Sequence, residues 1–294
     1  MANFILSASS TADLSREYLE QHDLSLVGFT YMFQDDGISC VDDCWASVTA
    51  DDFYARLREV QCSTSLVNQD VYDTCFRKLL KQGKDVLHVE LSSGISGSYF
   101  SAKTAAEEIN AEGGENKVYV VDSLCASSGF GLLLDYLIKM RDNGATFEEA
   151  RDWAEEHKLN LMHWFTVDDL NFLYRGGRLS KGTAVVGSLL KIKPLLNVNK
   201  SGKLINLFKV RGRKNVIAQI VEKMKQDVVQ PDGQTVFICH GDCIDDAQYL
   251  KKLVMEAYPT ITDVQIFYTG PVIAAHSGPG TLALFYMGSE RYEQ

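Results

Sequence analysis

The stretch Val86-Leu87-His88-Val89-Glu90-Leu91, followed by Ser92-Ser93-Gly94-Ile95-Ser96-Gly97, decides the fold. The first six residues read as a buried strand, the next six as a glycine- and serine-rich loop, and Ser98 to Ile109 as a helix. Strand, loop and helix in that order predict an open α/β sheet. Such a loop lies at the carboxyl end of its strand, where ligands bind and helix N-termini present unpaired N–H groups.

The same alternation extends both ways. Upstream come Phe4-Ile5-Leu6, a helical Leu14 to Gln21, a strand-like Ser25 to Phe33, and a helix opened by Thr49 and Asp52 in capping-box spacing, with Phe53, Leu57 and Val60 on one face. A loop at Thr64-Ser65 precedes a helix carrying Val71, Cys75 and Leu79, which Gly83 should close. Downstream, Val118 to Val121 is a strand ending in Asp122-Ser123, followed by a helix from about Ser127 to Arg141 and a second capping box, Thr146 with Glu149.

From Leu161 the pattern changes. Leu161 to Thr166 reads as a strand and Asp168 to Tyr174 as a short helix, before the turn Arg175-Gly176-Gly177-Arg178 and an apolar helix through Leu190. Pro194 to Val198 and Leu204 to Val210 flank the polar turn Asn199-Lys200-Ser201-Gly202 as a hairpin. Strands at Val236 to Cys239, Val264 to Tyr268 and Leu282 to Met287 alternate with helices at Lys214 to Gln226 and Asp246 to Ala257. We therefore expect an N-terminal three-layer α/β/α domain with a mostly parallel sheet over residues 1–160, and a C-terminal α+β domain with a mixed sheet over 161–294. A length of 294 residues favours two domains, with a ligand between them.

Composition narrows the function. The chain is 46% hydrophobic and 23% charged, as an ordinary globular protein is. A net charge of −10 argues against nucleic acid, or an anionic membrane, as main partner. The basic run Lys209 to Lys214 reads as a solvated helix start. Met1 to Ser7 lacks a basic and then apolar leader pattern, so cytoplasm is expected. Seven scattered cysteines are expected to be thiols, and the three-residue spacers of Cys40 to Cys44 and Cys239 to Cys243 are too long for zinc knuckles. No metal or cofactor is expected.

Polar chemistry gathers at four distant places: Thr64-Ser65, Ser92 to Gly97, Arg175 to Arg178, and His276-Ser277-Gly278-Pro279-Gly280, expected to be a loop. Hydroxyls from Thr64 and Ser96, the imidazole of His276 and the guanidinium of Arg175 suit a carboxylate or phosphate. Each also has a plainer reading, as helix cap, solvated charge or satisfied buried histidine. A triad of Ser96, His276 and Asp168 can be drawn, but triads are defined by geometry. Walker, metalloprotease and nucleophile-elbow motifs with obvious partners are missing.

In order along the chain, Ser10-Thr11-Ala12-Asp13-Leu14, Thr64-Ser65, Leu91 to Tyr99, Val121-Asp122-Ser123, Asn143-Gly144-Ala145-Thr146, Arg175-Gly176-Gly177-Arg178, Lys209-Val210-Arg211-Gly212 and His276 to Gly280 resemble the DegV family. The resemblance implies a two-domain α/β protein that binds a long-chain fatty acid such as palmitate, stearate or oleate, with its acyl chain buried. It is not itself a catalyst. Members of the FakB type present the carboxylate to a fatty acid kinase and carry the acyl phosphate to an acyltransferase of phospholipid synthesis, with transient contact at a membrane surface. Carried over by motif, Thr64, Ser96 and His276 would meet the carboxylate. Ser65, Gly97, Ser123, Arg175, Ser277 and Gly278 would support it, Arg175 meeting carboxylate or incoming phosphate. This chain departs from the usual pattern at Ser9, normally acidic, and at Leu66-Val67, normally Gln-Pro. A self-sufficient enzyme using His276 as acid or base, and a lipid sensor without a transfer role, are the rival readings.

Overall fold

In the computed structural model, residues 3–180 and 192–293 are described. The apolar helix expected through Leu190 lies mostly outside the described residues. Strands run in chain order as β1 (Ile5–Ser9), β2 (Ser25–Val27), β3 (Thr30–Phe33), β4 (Ser39–Val41), β5 (Cys62–Ser65), β6 (Val86–Glu90), β7 (Val118–Asp122), β8 (Leu161–Thr166), β9 (Ile192–Val198), β10 (Leu204–Arg211), β11 (Thr235–His240), β12 (Asp263–Tyr268) and β13 (Leu282–Met287). The helices are α1 (Arg16–Gln21), α2 (Ala50–Glu59), α3 (Gln69–Leu80), α4 (Ser98–Ala111), α5 (Ser128–Asp142), α6 (Phe147–His157), α7 (Asn171–Arg175), α8 (Arg213–Asp227), α9 (Ile244–Ala257) and α10 (Pro271–Ser277).

The first sheet is wholly parallel, in the order β2-β1-β6-β7. Its central strands β1 and β6 are buried along their whole length, as a parallel sheet covered on both faces requires. The polar side chains that this buries satisfy one another: His88 bonds Ser7 (3.0 Å) and Glu90 (3.0 Å), and the Tyr72 hydroxyl donates to Glu90 (2.7 Å).

The second sheet is mixed, in the order β10-β9-β8-β13-β11-β12, and antiparallel except where β11 runs beside β12. Helix α5 lies between the two sheets, touching β6 on one side and β8, β11 and β13 on the other. Its first part is therefore apolar all round, with Phe130, Leu132, Leu133, Leu134 and Leu137 all fully buried, and the charged Lys139 and Asp142 come only near its exposed end. One continuous core runs from the parallel sheet across α5 to Phe237, Ala283 and Phe285 on the mixed sheet. A second core lies on the opposite face of the mixed sheet, under α8 and α9.

A third, small antiparallel sheet, β4-β3-β5, was not foreseen. The expected strand Ser25 to Phe33 breaks between β2 and β3, so that its halves enter different sheets. Thr64, expected in a loop, is in β5 and pairs with Tyr31. The short helix expected from Asp168 begins only at Asn171. At Thr146 the capping box is complete. At Thr49 it is half formed: the hydroxyl accepts from Asp52 N but donates to the Asp52 carboxylate (2.6 Å), which therefore does not reach back to the cap.

The hairpin β9-β10 forms as expected, and its turn positions the site. Ser92 Oγ donates to Gly202 O (2.8 Å), fastening the turn of the mixed sheet onto the loop that follows β6.

Candidate functional site: an apolar cavity ending at Thr64 and His276

A cavity of about 290 Å³ lies between the carboxyl ends of the parallel strands, the inner face of the mixed sheet, and α10. Its wall is mainly apolar, from Phe29, Leu91, Phe165, Leu173, Val272 and Phe285. Thr64, Ser65, Ser96, Gly97, His276 and Ser277 line it as well. Six of the nine residues singled out in the sequence therefore share one wall, although they come from β5, the loop after β6, and α10.

His276 and Thr64 form the polar centre. Thr64 Oγ1 lies 2.7 Å from His276 Nε2, while His276 Nδ1 is buried with no hydrogen-bond partner. His276 is the penultimate residue of α10 and not part of a loop. Gly176 makes the fit possible: a Cβ there would stand 2.1 Å from Nδ1. Burial, reinforced by the nearby Arg178 guanidinium, pushes the His276 pKa down to about 4, so the imidazole is neutral near pH 7.

Ser96 reaches the same wall from the other direction. Its Oγ accepts from Ser98 N (3.2 Å) and donates to Ser98 Oγ (3.1 Å), which also accepts the N–H of Val67 (3.1 Å). A proline at position 67 has no N–H to give. Where the usual family sequence stiffens this loop with a proline ring, this chain ties it to the Ser96 loop with a hydrogen bond. At the other departure, Ser9 Oγ bonds Thr11 Oγ1 (2.9 Å) in place of an acidic group.

Among the described residues, the cation lining the cavity is Arg178. Arg175 is exposed, stacks over the Phe172 ring at 4.7 Å, and does not line the cavity. The chain ends α7 at Arg175 and turns through Gly177, whose φ of +71 suits glycine. That turn brings Arg178 back inward, where Nε donates to Ile95 O (3.0 Å) and a terminal nitrogen to Gly176 O (2.6 Å). Two other expected residues also stand elsewhere. Ser123 is buried with its Oγ accepting from Cys125 N (3.1 Å), and Gly278 lies under the Phe172 ring. The drawn triad does not assemble: Asp168 pairs with Lys193 (2.7 Å) and Arg213 (3.5 Å). Among the described residues no three His, Cys, Asp or Glu side chains gather as a metal site.

Ser127, Cys239, Thr269 and Thr281 also line the cavity and were not anticipated. They occur singly at strand and helix ends, so no local motif announces them. Outside the cavity, behind Thr64 and His276, is a groove of about 430 Å³ bordered by Arg58, Asp169, Phe172, Arg175 and Arg178. A second groove, of about 630 Å³, meets the cavity at Ile95, Ser96, Gly97, Arg178 and Leu204.

The sequence model of the family described as "Uncharacterised protein, DegV family" matches residues 6–289. The chain belongs to the DegV family. A DegV domain-containing protein of Clostridium perfringens is 38% identical over 99% of this chain and 99% of its own. A DegV lipid-binding protein from Thermotoga maritima superposes with a TM-score of 0.85 at 30% identity, over 98% of this chain and 99% of that one. Another Thermotoga maritima protein, described as revealing a fatty acid binding function, gives 0.83 at 29% identity, over 98% and 100%. No described helix is long and apolar enough to cross a membrane.

Proposed function

We propose that this DegV protein binds one long-chain fatty acid, with its acyl chain in the cavity and its carboxylate at Thr64, Ser96 and His276. The observation that carries the proposal is an apolar cavity with the Thr64–His276 pair and the Arg178 guanidinium in its wall. Two DegV proteins of similar sequence and fold are described as binding lipid and fatty acid.

The energetics divide the work. Burying about fourteen methylenes at about 0.8 kcal/mol each gives about 11 kcal/mol before ordering and association costs. The head contributes less but fixes which end faces out. Thr64 Oγ1 can donate to the carboxylate while accepting from a protonated Nε2, and Ser96 Oγ can turn from Ser98 to the ligand. Arg178 compensates the charge.

In this reading the protein is a non-catalytic carrier in the cytoplasm. It offers the carboxylate to a fatty acid kinase through the arginine-bordered groove, then passes the acyl phosphate to an acyltransferase of phospholipid synthesis. Arg175, outside the cavity, is placed for the incoming phosphate and not for the buried acid. Leu66 and Phe100 are 51% and 59% exposed, next to the Ser96 and Gly97 stretch, and suit a transient membrane contact for loading. The boundary near residue 160 separates the two sheets that clasp the ligand.

Mass spectrometry of an organic extract of the purified protein tests the proposal. A co-purified fatty acid, with acyl phosphate formed only when kinase and ATP are added, is expected. A lipid-free protein that fails to take up added palmitate refutes it.

A further inference from the structure

Helix α10 carries His276 at one end and meets two buried carboxyl groups at the other. Asp13 follows β1 with a left-handed φ of 50° and is 4% exposed. Its Oδ2 accepts the Ser127 hydroxyl. Its Oδ1 makes no regular hydrogen bond but packs against Gly270, and burial pushes the Asp13 pKa well above the ordinary carboxylate range, opposed only in part by the Ser127 hydroxyl and the Gly270 backbone. Asp42 approaches from beyond β4, held by Cys44 N (3.3 Å) and acted on by the backbone of Val272.

Two details show that this junction is built tightly. Gly270 has ordinary extended dihedrals, φ −64 and ψ 165, which any residue adopts. Its missing side chain is a matter of space, because a Cβ would stand 2.6 Å from Asp13 Oδ1. Ser127 sits at φ 55 and ψ −149, a sparsely populated conformation for a non-glycine residue, and lines the cavity. Asp13 thus ties the start of α10 to the start of α5 and to the turn after β1.

We propose that Asp13 is a positioning residue for the head-group site: by fixing the Gly270 end of α10 it sets where His276 meets Thr64. A helix of about two turns is held by its surroundings and not by its own stability, so a shift of its Gly270 end is passed to His276, about 9 Å along the axis. The inference rests on the proposed binding of a carboxylate at Thr64, Ser96 and His276.

The test compares dissociation constants for palmitate and methyl palmitate in the full chain and in Asp13→Ala, Asp13→Asn and Gly270→Ala. The wild type should prefer the acid by about 10-fold or more, the worth of a hydrogen bond to a charged group. Asp13→Ala and Gly270→Ala should reduce that preference to about threefold or less, with methyl palmitate affinity within about twofold of wild type. Asp13→Asn should restore the preference, since the amide keeps the shape that packs against Gly270 and an oxygen that accepts the Ser127 hydroxyl. Should Asp13→Ala not fold, Gly270→Ala decides alone. An unchanged preference in the folded variants overturns the inference while the carboxylate reading stands. Equal loss of acid and ester also overturns it, showing a structural role only. A wild type without preference removes the reading beneath it, and the inference falls too.

Discussion

Replacing Gly176 with alanine should disable the head-group site while leaving the apolar cavity intact. The backbone tolerates the change, because Gly176 has helical dihedrals of φ −73 and ψ −9. The obstacle is His276. The new Cβ would lie 2.1 Å from Nδ1, against about 3.5 Å for ordinary contact, so one of them must shift by about 1.4 Å. The ring cannot retreat directly, since its opposite edge is already 2.7 Å from Thr64 Oγ1. It must tilt out, and the bond to Thr64 breaks. Without His276 to orient it, the Thr64 hydroxyl is no longer aimed at the carboxylate, and losing that hydrogen bond to a charged ligand costs about 1.5–3 kcal/mol, or about 10- to 150-fold in affinity. Calorimetric titration of palmitate should show that loss, while methyl palmitate, whose neutral ester accepts only weaker hydrogen bonds, should lose much less affinity. A folded Gly176→Ala protein that binds palmitate undiminished would refute the assignment of His276.

Thr64→Val and Ser96→Ala should each weaken palmitate binding about 10-fold while leaving methyl palmitate nearly unchanged, as read by displacement of a fluorescent fatty acid; equal binding in both would remove their role. Ala283, on β13 opposite Cys239 and Phe165, lines the cavity, so Ala283→Leu should shift the preferred chain toward acids shorter by about three methylenes, each worth about 0.8 kcal/mol. A competition series of saturated acids reads this, and an unchanged optimum contradicts it. Burial holds His163 neutral, its pKa pushed down to about 3. An unfolded imidazole protonates near pH 6.5, so the stability it contributes is complete above that value and declines as pH falls toward 3. The stability difference between wild type and His163→Gln should therefore shrink by about 2–3 kcal/mol between pH 7 and pH 4.5 in urea titrations. Asp42, its pKa raised by burial to about 6, acts in the opposite sense between about pH 3.9 and 6, and the paired comparison cancels it. A pH-independent difference rules out a buried neutral His163.

The elements that sequence periodicity reveals are those whose neighbours are local or whose strands are apolar throughout. Strand β6 with its loop and α4, the hairpin β9-β10, and the capping box at Thr146 were all legible for this reason. Strand β5, Cys-Ser-Thr-Ser, has Thr64 as its one strand-favouring residue and no apolar alternation. It is a strand because β3 supplies its hydrogen bonds, and that pairing is tertiary. Helix α10 did leave a trace, Gly270-Pro271, since proline suits the first helical position. The ensuing Ser277-Gly278-Pro279 outweighed it and led to the expectation of a loop.

The candidate site divides in the same way. Thr64, Ser96 and His276 stand out as hydroxyls and an imidazole in glycine-rich or family-like surroundings, and the fold brings them to one wall. Arg175 and Arg178 cannot be told apart by composition. Only the turn at Gly177 decides which of them faces inward. The carboxyl groups of Asp13 and Asp42 gave no signal as a pair because the chain between them passes through two sheets.

The central claim is that a fatty acid lies tail inward with its acid at the Thr64–His276 pair, and a crystal structure of the palmitate complex tests it most directly. The account predicts carboxylate oxygens within hydrogen-bonding distance of Thr64 Oγ1 and Ser96 Oγ, with the chain running along Phe165 and Phe285. A chain entering the other way round, or a cavity closed by the protein's own side chains with palmitate bound elsewhere, would contradict it.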